Sequence, residues 1–285
     1  MEATKAVLID YHTHIGTTEH WGELFLAESR RMRSSGVSIA TTLERHTAAM
    51  TKADRVVVLA FRSIHLGFNV PNDYVADYVR RDPKKYIGFL SVDPHDPRAL
   101  SELERAHQDL GLRGIKMSSI YQAFHPMDTR VLPIYAYAER HGLPLLLHQG
   151  TTFPRRAPLK YAHPELLEEV ALAFPELRMI IAHLGHPWEV ETIAVVRKHP
   201  HLYTDISGLV YRPWQLYNSL MLFQEYGVMH KIIFGTDFPV TEIDETIQGL
   251  RRLNDMLAGT QLPRLDAEAI EAIITRNVLP ELNLA

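Results

Sequence analysis

The stretch AVLIDYHTHIG, residues 6–16, joins a short apolar run to two histidines, His12 and His14, that are separated by one residue. The apolar run predicts a buried β-strand, and alternate side chains of an extended segment point to the same face. The two imidazoles would therefore project together, where they either repel each other as cations or share a partner such as a metal ion. Because the chain has 16 histidines, a chance pair is the alternative, and the rest of the sequence must decide.

Seven further apolar runs follow the first, and helical segments separate them. The eight predicted strands are residues 6–11, 55–61, 86–92, 113–117, 143–148, 178–183, 202–207 and 231–237. Several runs are continuous rather than alternating, which is typical of parallel strands covered on both faces. Eight strands alternating with helices predict an α/β fold, a (β/α)8 TIM barrel, as a single domain over residues 1–285. An open doubly wound sheet is the alternative, disfavoured by the strand count and the lack of a G-x-G-x-x-G turn.

Two segments fall outside the regular alternation. Residues 16–40 form a long connection after the first strand, which is either a lid or specificity loop or an ordinary surface helix. The tail from Asp266 predicts a last helix packed outside the barrel.

The composition excludes several classes of partner. A formal net charge of −4 provides no basic surface for nucleic acid and no polybasic membrane signal. No apolar stretch approaches the ~20 residues that span a bilayer, and the first ten residues do not resemble a signal peptide. With zero cysteines, a metal site would have to use nitrogen and oxygen ligands. We expect a soluble, cytoplasmic protein that acts on a small molecule, and a homo-oligomer is compatible with the sequence.

Ionisable residues fall at the carboxyl ends of the predicted strands, where barrel enzymes carry their chemistry. These residues are His12 and His14 (first strand), Lys116 (fourth), His148 (fifth), His183 (sixth), Asp205 (seventh) and Asp237 (eighth). Each alone has a structural explanation, but burying unpartnered charges and imidazoles is costly. Their joint placement predicts a central group that they bind, and a metal ion is the predicted group.

The same motifs resemble those of the amidohydrolase superfamily. The resemblance is closest to the branch with aminocarboxymuconate semialdehyde decarboxylase, aromatic-acid decarboxylases and lactone hydrolases, and it rests on IDYHTHIG, GIKM, LPLLLHQG, FPELRMIIAHLG, LYTDISG and IIFGTDFP. It implies that one divalent ion, zinc by expectation and manganese as the alternative, is bound by His12, His14, His148 and Asp237. It also implies that His183 lies beside the metal, where it acts as an acid or base or holds the metal-bound water.

The chemistry of this ligand set is consistent with catalysis. Three imidazoles and one carboxylate leave a coordination position open, as a catalytic site requires. A metal ion would lower the pKa of bound water, and Asp237 is the predicted catalytic acceptor of that proton. Asp10, two residues before His12, would orient a ligand from the same face or would be structural.

Lys116 permits two interpretations. In binuclear members of the superfamily a lysine of the fourth strand is carbamylated and bridges two metals. The branch motifs favour the other interpretation, in which one metal is bound and Lys116 is an unmodified cation facing the substrate.

Other cations follow the predicted strands and would suit an acidic substrate. The predicted substrate-binding residues are Lys116, Arg155, Arg156, Arg62 and His65, and Lys160, Tyr211 and Arg212 lie in comparable positions. Any one of them could instead be a solvated surface group.

The predicted function is hydrolysis of a small carboxylate-bearing substrate, a lactone or other cyclic compound being one candidate, by a metal-activated water. The alternative is a metal-dependent, non-oxidative decarboxylase of an aromatic or muconate-type acid. Both reactions use the same metal ligands, so the ligands do not separate them. A barrel that binds without catalysis is the third interpretation, disfavoured because every predicted ligand is present.

Overall fold

The computed structural model describes residues 7–30 and 38–285, with a parallel β-barrel at the centre. The strands of the described residues are β1 (Ile9–His14), β2 (Arg55–Leu59), β3 (Phe61–Ser63), β4 (Phe68–Val70), β5 (Tyr86–Leu90), β6 (Gly114–Ser118), β7 (Leu145–His148), β8 (Met179–Ile181), β9 (Leu202–Asp205) and β10 (Ile232–Ile233), of which β3 and β4 form a separate hairpin. Within the described residues, eight of them are hydrogen-bonded in parallel in the order β1-β2-β5-β6-β7-β8-β9-β10. The predicted (β/α)8 barrel is confirmed.

The barrel closes where its first strand meets the end of its last. The Tyr11 N–H donates to the Phe234 carbonyl at 3.1 Å, and the Asp237 N–H donates to the His12 carbonyl at 2.8 Å. These bonds bring Asp237 beside the histidine pair, although His12 precedes Asp237 by 225 positions in the sequence.

Helices surround the barrel. They are α1 (Thr18–Trp21), α2 (Glu23–Ser29), α3 (Leu43–Ala49), α4 (Asn72–Val79), α5 (Ala99–Gln108), α6 (Leu132–His141), α7 (Leu167–Ala173), α8 (Glu189–Lys198), α9 (Pro213–Glu225), α10 (Ile243–Arg251) and α11 (Ala267–Thr275). Short 3-10 helices lie at Leu159–Tyr161, Pro164–Leu166, Met229–Lys231 and Leu253–Leu257, and Ala182–Gly185 forms a tight turn. In the part of the chain that is described, no helix is long and apolar enough for a membrane span.

Several helix ends are capped by residues that suit these positions. The Thr42 hydroxyl accepts from the Arg45 N–H at the start of α3, and the Asp266 carboxylate accepts from the Glu268 N–H at the start of α11. Gly142 ends α6 in the left-handed region at φ 63°, where a side chain would be strained.

The first strand differs from its prediction. It runs from Ile9 to His14, so both histidines lie inside the strand instead of after residue 11, while Ala6 lies outside the described residues. Its pairing with β2 shifts by one residue between Asp10 and Thr13. Because an extra residue reverses the alternation of a strand, Tyr11 packs with the apolar filling of the barrel while His12 also reaches the interior.

The connection after β1 carries an aromatic cluster over the barrel mouth. Helices α1 and α2 contribute Trp21 and Phe25, whose rings stack at 5.6 Å. They pack on Phe61 and Phe68 of the β3–β4 hairpin, which the sequence did not predict. Residues 31–37 of this predicted lid or loop lie outside the described residues.

The opposite end of the barrel is closed by the segment after α11. The helix itself packs on α10 and β10 on the outside, as predicted. Residues 278–284 then turn under the strands, where Val278, Leu279, Leu282 and Leu284 join the interior cluster. The Val278 N–H donates to the Tyr11 hydroxyl at 2.8 Å, which fixes this segment to β1.

Candidate active site

His12 is held by a buried carboxylate from a neighbouring strand. Its Nδ1 lies 2.9 Å from Asp205 Oδ2, and neither side chain is exposed. Burial, together with the nearby Lys116 ammonium, lowers the pKa of His12 to about 3, so the ring is neutral. Because Nδ1–H donates to Asp205, Nε2 carries the lone pair and faces the centre of the site.

His12, His14 and Asp237 converge on one point. Nε2 of His12 is 3.2 Å from Nε2 of His14, and Asp237 Oδ1 lies 3.4 Å and 3.3 Å from these two nitrogens. Burial alone would raise the pKa of the Asp237 carboxyl, but the hydrogen bond with His14 and the electrostatic attraction of the nearby imidazoles lower it below its ordinary value. Ligands about 2.1 Å from a metal ion are separated by about 3.0 to 3.4 Å in tetrahedral or octahedral geometry. The three atoms have this spacing.

His148 and His183 form the second half of the site. Nε2–H of His148 donates to the Thr151 carbonyl at 3.2 Å, and Nδ1–H of His183 donates to the Ser207 carbonyl at 2.9 Å. The remaining nitrogens, Nδ1 of His148 and Nε2 of His183, are 3.2 Å apart. Burial lowers the pKa of His148 well below its ordinary value. The two rings so fixed place these nitrogens against each other, an arrangement that a cation or proton shared between them stabilises.

These donors fit a divalent metal ion. Nitrogen lone pairs and one carboxylate meet at the carboxyl end of the barrel, and atoms of His12, His183 and Asp237 all lie within 4.8 Å of one another. Of the predicted ligands, His12, His14 and Asp237 are in mutual contact, whereas His148 reaches this group through His183.

Lys116 adds a buried ammonium to the site. Its Nζ lies 3.1 Å from His12 Nε2 and 5.2 Å from the centre of the Phe61 ring, and the residue is 1% exposed. Burial lowers the pKa of Lys116 to about 8.

The backbone at the site adopts uncommon conformations. Asp237 has a φ of 57°, and His183 and Leu184 have φ values of 57° and 54°. Residues other than glycine rarely occupy this region, and such positions concentrate at functional sites.

Asp10 has the structural role, one of the two roles that the sequence left open for it. Its carboxylate accepts from the His12 N–H at 3.1 Å and from the Thr236 N–H at 3.1 Å and hydroxyl at 2.7 Å. It thus holds the irregular backbone of β1 to the end of β10 and does not orient the imidazole. That role belongs to Asp205, which the sequence identified at a strand end without assigning it a partner. Ser207, whose hydroxyl lies 2.8 Å from Nδ1 of His183, was missed, because a serine in YTDISG carries no distinctive signal.

The sequence-predicted substrate residues separate into two groups. Lys116 lines the cavity above the histidines. Arg62 instead pairs with Asp96 at 2.7 Å, His65 bonds to the Arg156 carbonyl at 2.8 Å, and Arg155 and Arg156 are exposed. Arg62, His65, Arg155 and Arg156 are therefore not among the described residues that line the cavity. Arg212 does line it.

The cavity has a polar floor and aromatic walls. It encloses about 320 Å³. Its floor carries His14, His148, His183, Asp237 and Lys116, and its walls include Trp21, Phe25, Phe61, Tyr121 and Phe153. A flat, apolar ring with an acidic substituent has the shape and polarity that such a pocket accommodates.

Comparison with known proteins identifies the family. A family model described as amidohydrolase matches residues 9–277. The chain belongs to the amidohydrolase family. This membership confirms the resemblance inferred from the motifs at the strand ends, and it places the chain among enzymes of the amidohydrolase superfamily.

Among curated proteins, the chain is similar to gamma-resorcylate decarboxylase from Polaromonas sp., with 24% identity over 220 residues. The match covers 61% of this chain and 66% of the relative, so the chain spans just under two thirds of that protein.

Solved structures share the fold. A TIM-barrel protein of Bordetella bronchiseptica matches with a TM-score of 0.71 and 23% identity over 97% of this chain and 98% of that one. A dihydroxybenzoic acid decarboxylase from Polaromonas sp., with bound manganese and 2-nitroresorcinol, matches with a TM-score of 0.65 and 17% identity over 98% of this chain and 97% of that one.

The expectation of a hydrolase is wrong. The relatives and structural neighbours are mostly decarboxylases, although a probable 2-pyrone-4,6-dicarboxylic acid hydrolase is also a neighbour. The sequence could not make this distinction, because metal-activated water and metal-bound carboxylate need the same ligands. The comparisons favour the alternative, decarboxylation.

Proposed function

We propose that this amidohydrolase-family chain is a metal-dependent, non-oxidative decarboxylase of a hydroxylated aromatic acid. The observation that carries the proposal is the cavity, in which an imidazole-rich floor with a buried ammonium lies beneath aromatic walls. The names of the curated relatives support the same class of reaction.

The residues that would hold the metal are His12, His14, His148 and Asp237. When bound, a divalent ion supplies a positive charge that attracts the oxygens of an acidic substrate. The imidazole-rich set favours zinc, while manganese is bound in a structural neighbour, so both ions belong in the test.

His183 is the proposed proton donor. Its Nδ1–H is fixed on the Ser207 carbonyl at 2.9 Å, which directs Nε2 toward the cavity. In the donor form of His183 both ring nitrogens carry a proton. When the bond between the ring carbon and CO2 breaks, its electron pair stays on the ring carbon and takes up the Nε2 proton, and His183 is left neutral, to be protonated again from solvent. The products are CO2 and the protonated ring, so the step needs no oxidant.

Lys116 and Arg212 are the proposed substrate cations. Lys116 reaches the cavity from β6 and is almost fully buried, so its charge is weakly screened. Arg212, half-buried at the start of α9, stacks on the Tyr211 ring at 4.6 Å and borders the same cavity. An aromatic acid whose carboxylate contacts these cations would have its ring against the aromatic walls.

The test is a screen of hydroxybenzoates with protein loaded separately with zinc and manganese. We expect CO2 release in equal amount to the ring product, with one deuterium at the vacated carbon when the reaction runs in deuterated water. A hydrolytic product without CO2, from these or from carboxylated lactones, would contradict the proposal.

A further inference from the structure

A second histidine–carboxylate pair borders the cavity, apart from the predicted metal ligands. His186 Nδ1 lies 2.6 Å from Glu189 Oε1, and the Ser219 hydroxyl donates to the same oxygen at 2.9 Å. Both members of the pair are buried, with 8% and 9% exposure. Since Glu189 is the first residue of α8, the helix dipole also favours its charged form.

The backbone around His186 is held in place from both sides. Its N–H donates to the His183 carbonyl at 2.9 Å, and its carbonyl accepts from the Thr151 N–H at 2.7 Å. Gly150 permits this approach, since a Cβ at that position would lie 2.4 Å from the His186 carbonyl oxygen. The ring is therefore fixed between the turn that carries His183 and the start of α8.

The second nitrogen of the ring is available to a ligand. Nδ1–H donates to the Glu189 carboxylate, so Nε2 is the nitrogen that is left for a ligand. Nε2 has no hydrogen-bond partner among the described residues and is not sealed in the interior, and His186 lines the cavity. A ring oriented by a buried carboxylate, with one nitrogen left open, is a built acceptor rather than a surface histidine.

We propose that His186, oriented by Glu189, accepts a hydrogen bond from a hydroxyl group on the substrate ring. This inference rests on the proposed function and narrows its substrate class to benzoates with a hydroxyl group besides the one next to the carboxylate. A hydroxyl is favoured over a second carboxylate, because the carboxylate of Glu189, 2.6 Å behind the ring, makes this side of the cavity unfavourable for an anion and leaves Nε2 to accept from a donor.

Three proteins test this assignment: wild type, His186→Asn, and the matched control His163→Asn. Asparagine keeps a donor near the Nδ1 position for Glu189 but lacks an atom at Nε2. His163 makes an equivalent contact, Nδ1 to Glu191 Oε1 at 3.0 Å, and is not among the cavity-lining residues. Calorimetric titration of each metal-loaded protein compares 2-hydroxybenzoate with the four dihydroxybenzoates that add one hydroxyl at ring positions 3 to 6.

In wild type we expect at least one dihydroxybenzoate to bind roughly five- to tenfold more tightly than 2-hydroxybenzoate, as one neutral hydrogen bond provides. His186→Asn should abolish this preference, and His163→Asn should keep it. An unchanged preference in His186→Asn, or no preference in wild type, overturns the inference while leaving decarboxylation standing. A preference that depends on His186 without CO2 release supports the inference and refutes the proposed reaction. No binding of any benzoate by wild type refutes both.

Discussion

Asp205 connects the two halves of the candidate site at the scale of single residues. One carboxylate oxygen bonds to His12 Nδ1 at 2.9 Å, and the other accepts the N–H groups of His183 and Ser207 at 3.0 Å each. Burial would raise the pKa of Asp205, but the charges and hydrogen bonds of its neighbours lower it below its ordinary value. The tautomer of His12 and the backbone of His183 thus depend on one side chain.

Asp205→Asn should weaken metal binding by about 10- to 100-fold, because an amide no longer favours Nδ1–H on His12. Chelator competition measures the affinity, and far-ultraviolet circular dichroism checks the fold. Asp244→Asn, which removes an exposed partner of Lys52, is the control and should bind metal as wild type does. Equal affinity in all three proteins would contradict the role of Asp205.

His183→Asn should retain most of the metal and lose about 10² to 10⁴ in turnover, the usual contribution of a general acid. Single-turnover CO2 release and metal content are measured on the same sample. Loss of metal in parallel with activity would instead make His183 a ligand, which its position near His12 and Asp237 also permits.

At the scale of elements, α3 is fixed to β1 by a buried histidine. Thr13 donates its hydroxyl proton to the Val57 carbonyl at 2.7 Å, so its oxygen accepts Nε2–H of His46 at 2.9 Å. Nδ1 of His46 then accepts from the Tyr78 hydroxyl at 2.8 Å, which joins α4 to the same ring. These bonds require neutral His46, and burial lowers its pKa to about 3.

His46 binds a proton near pH 6.5 in the unfolded chain but only near pH 3 in the folded chain. The contribution of neutral His46 to the free energy of unfolding is therefore fully present above pH 6.5 and decreases as the pH falls below it. Between pH 7.5 and pH 5.5 the advantage of wild type over His46→Gln should shrink by about 1.4 kcal/mol. Urea unfolding of both proteins at the two pH values measures it. A constant difference would mean that His46 takes up a proton as readily in the folded chain as in the unfolded one.

The segment after α11 is a second element with a measurable contribution. Leu282 is fully buried within the barrel interior, whereas Leu262 is 44% exposed. Leu282→Ala should lower the free energy of unfolding by about 2 to 5 kcal/mol, and Leu262→Ala should change it little. Urea denaturation gives both values. Equal effects would show that the segment does not seal the barrel in solution.

At the scale of the whole molecule, the site exists only because strands distant in sequence meet at one end of the barrel. About one divalent ion per chain is expected, and the double variant His12→Ala, His14→Ala should lose most of it. Elemental analysis after purification without chelator measures the content. Two ions in wild type would favour the binuclear alternative with a modified Lys116, and full content in the double variant would exclude these ligands.

The barrel was predictable because eight short apolar runs alternate with helical segments and six of them carry an ionisable residue at or near their carboxyl end, which are local signals. The β3–β4 hairpin and α10 were missed because three-residue strands and the segment after GTDFP carry weak signals. The spatial neighbours of Asp10 and Arg62 were not predictable, since a one-residue shift in β1 and an ion pair with Asp96 decide them. Pairwise geometry of this kind is set by tertiary packing, which a single sequence does not contain.

The junction of β1 with the end of β10 has a consequence for synthesis on the ribosome. The histidine pair emerges first, but Asp237 and the backbone that bonds to His12 emerge more than 200 residues later. At about 5 to 20 residues per second, the nascent chain exposes the edge of β1 for ten seconds or more before its partner exists. The candidate metal site can therefore be assembled only after Asp237 has left the ribosome, and a chaperone that shields this edge would act before then.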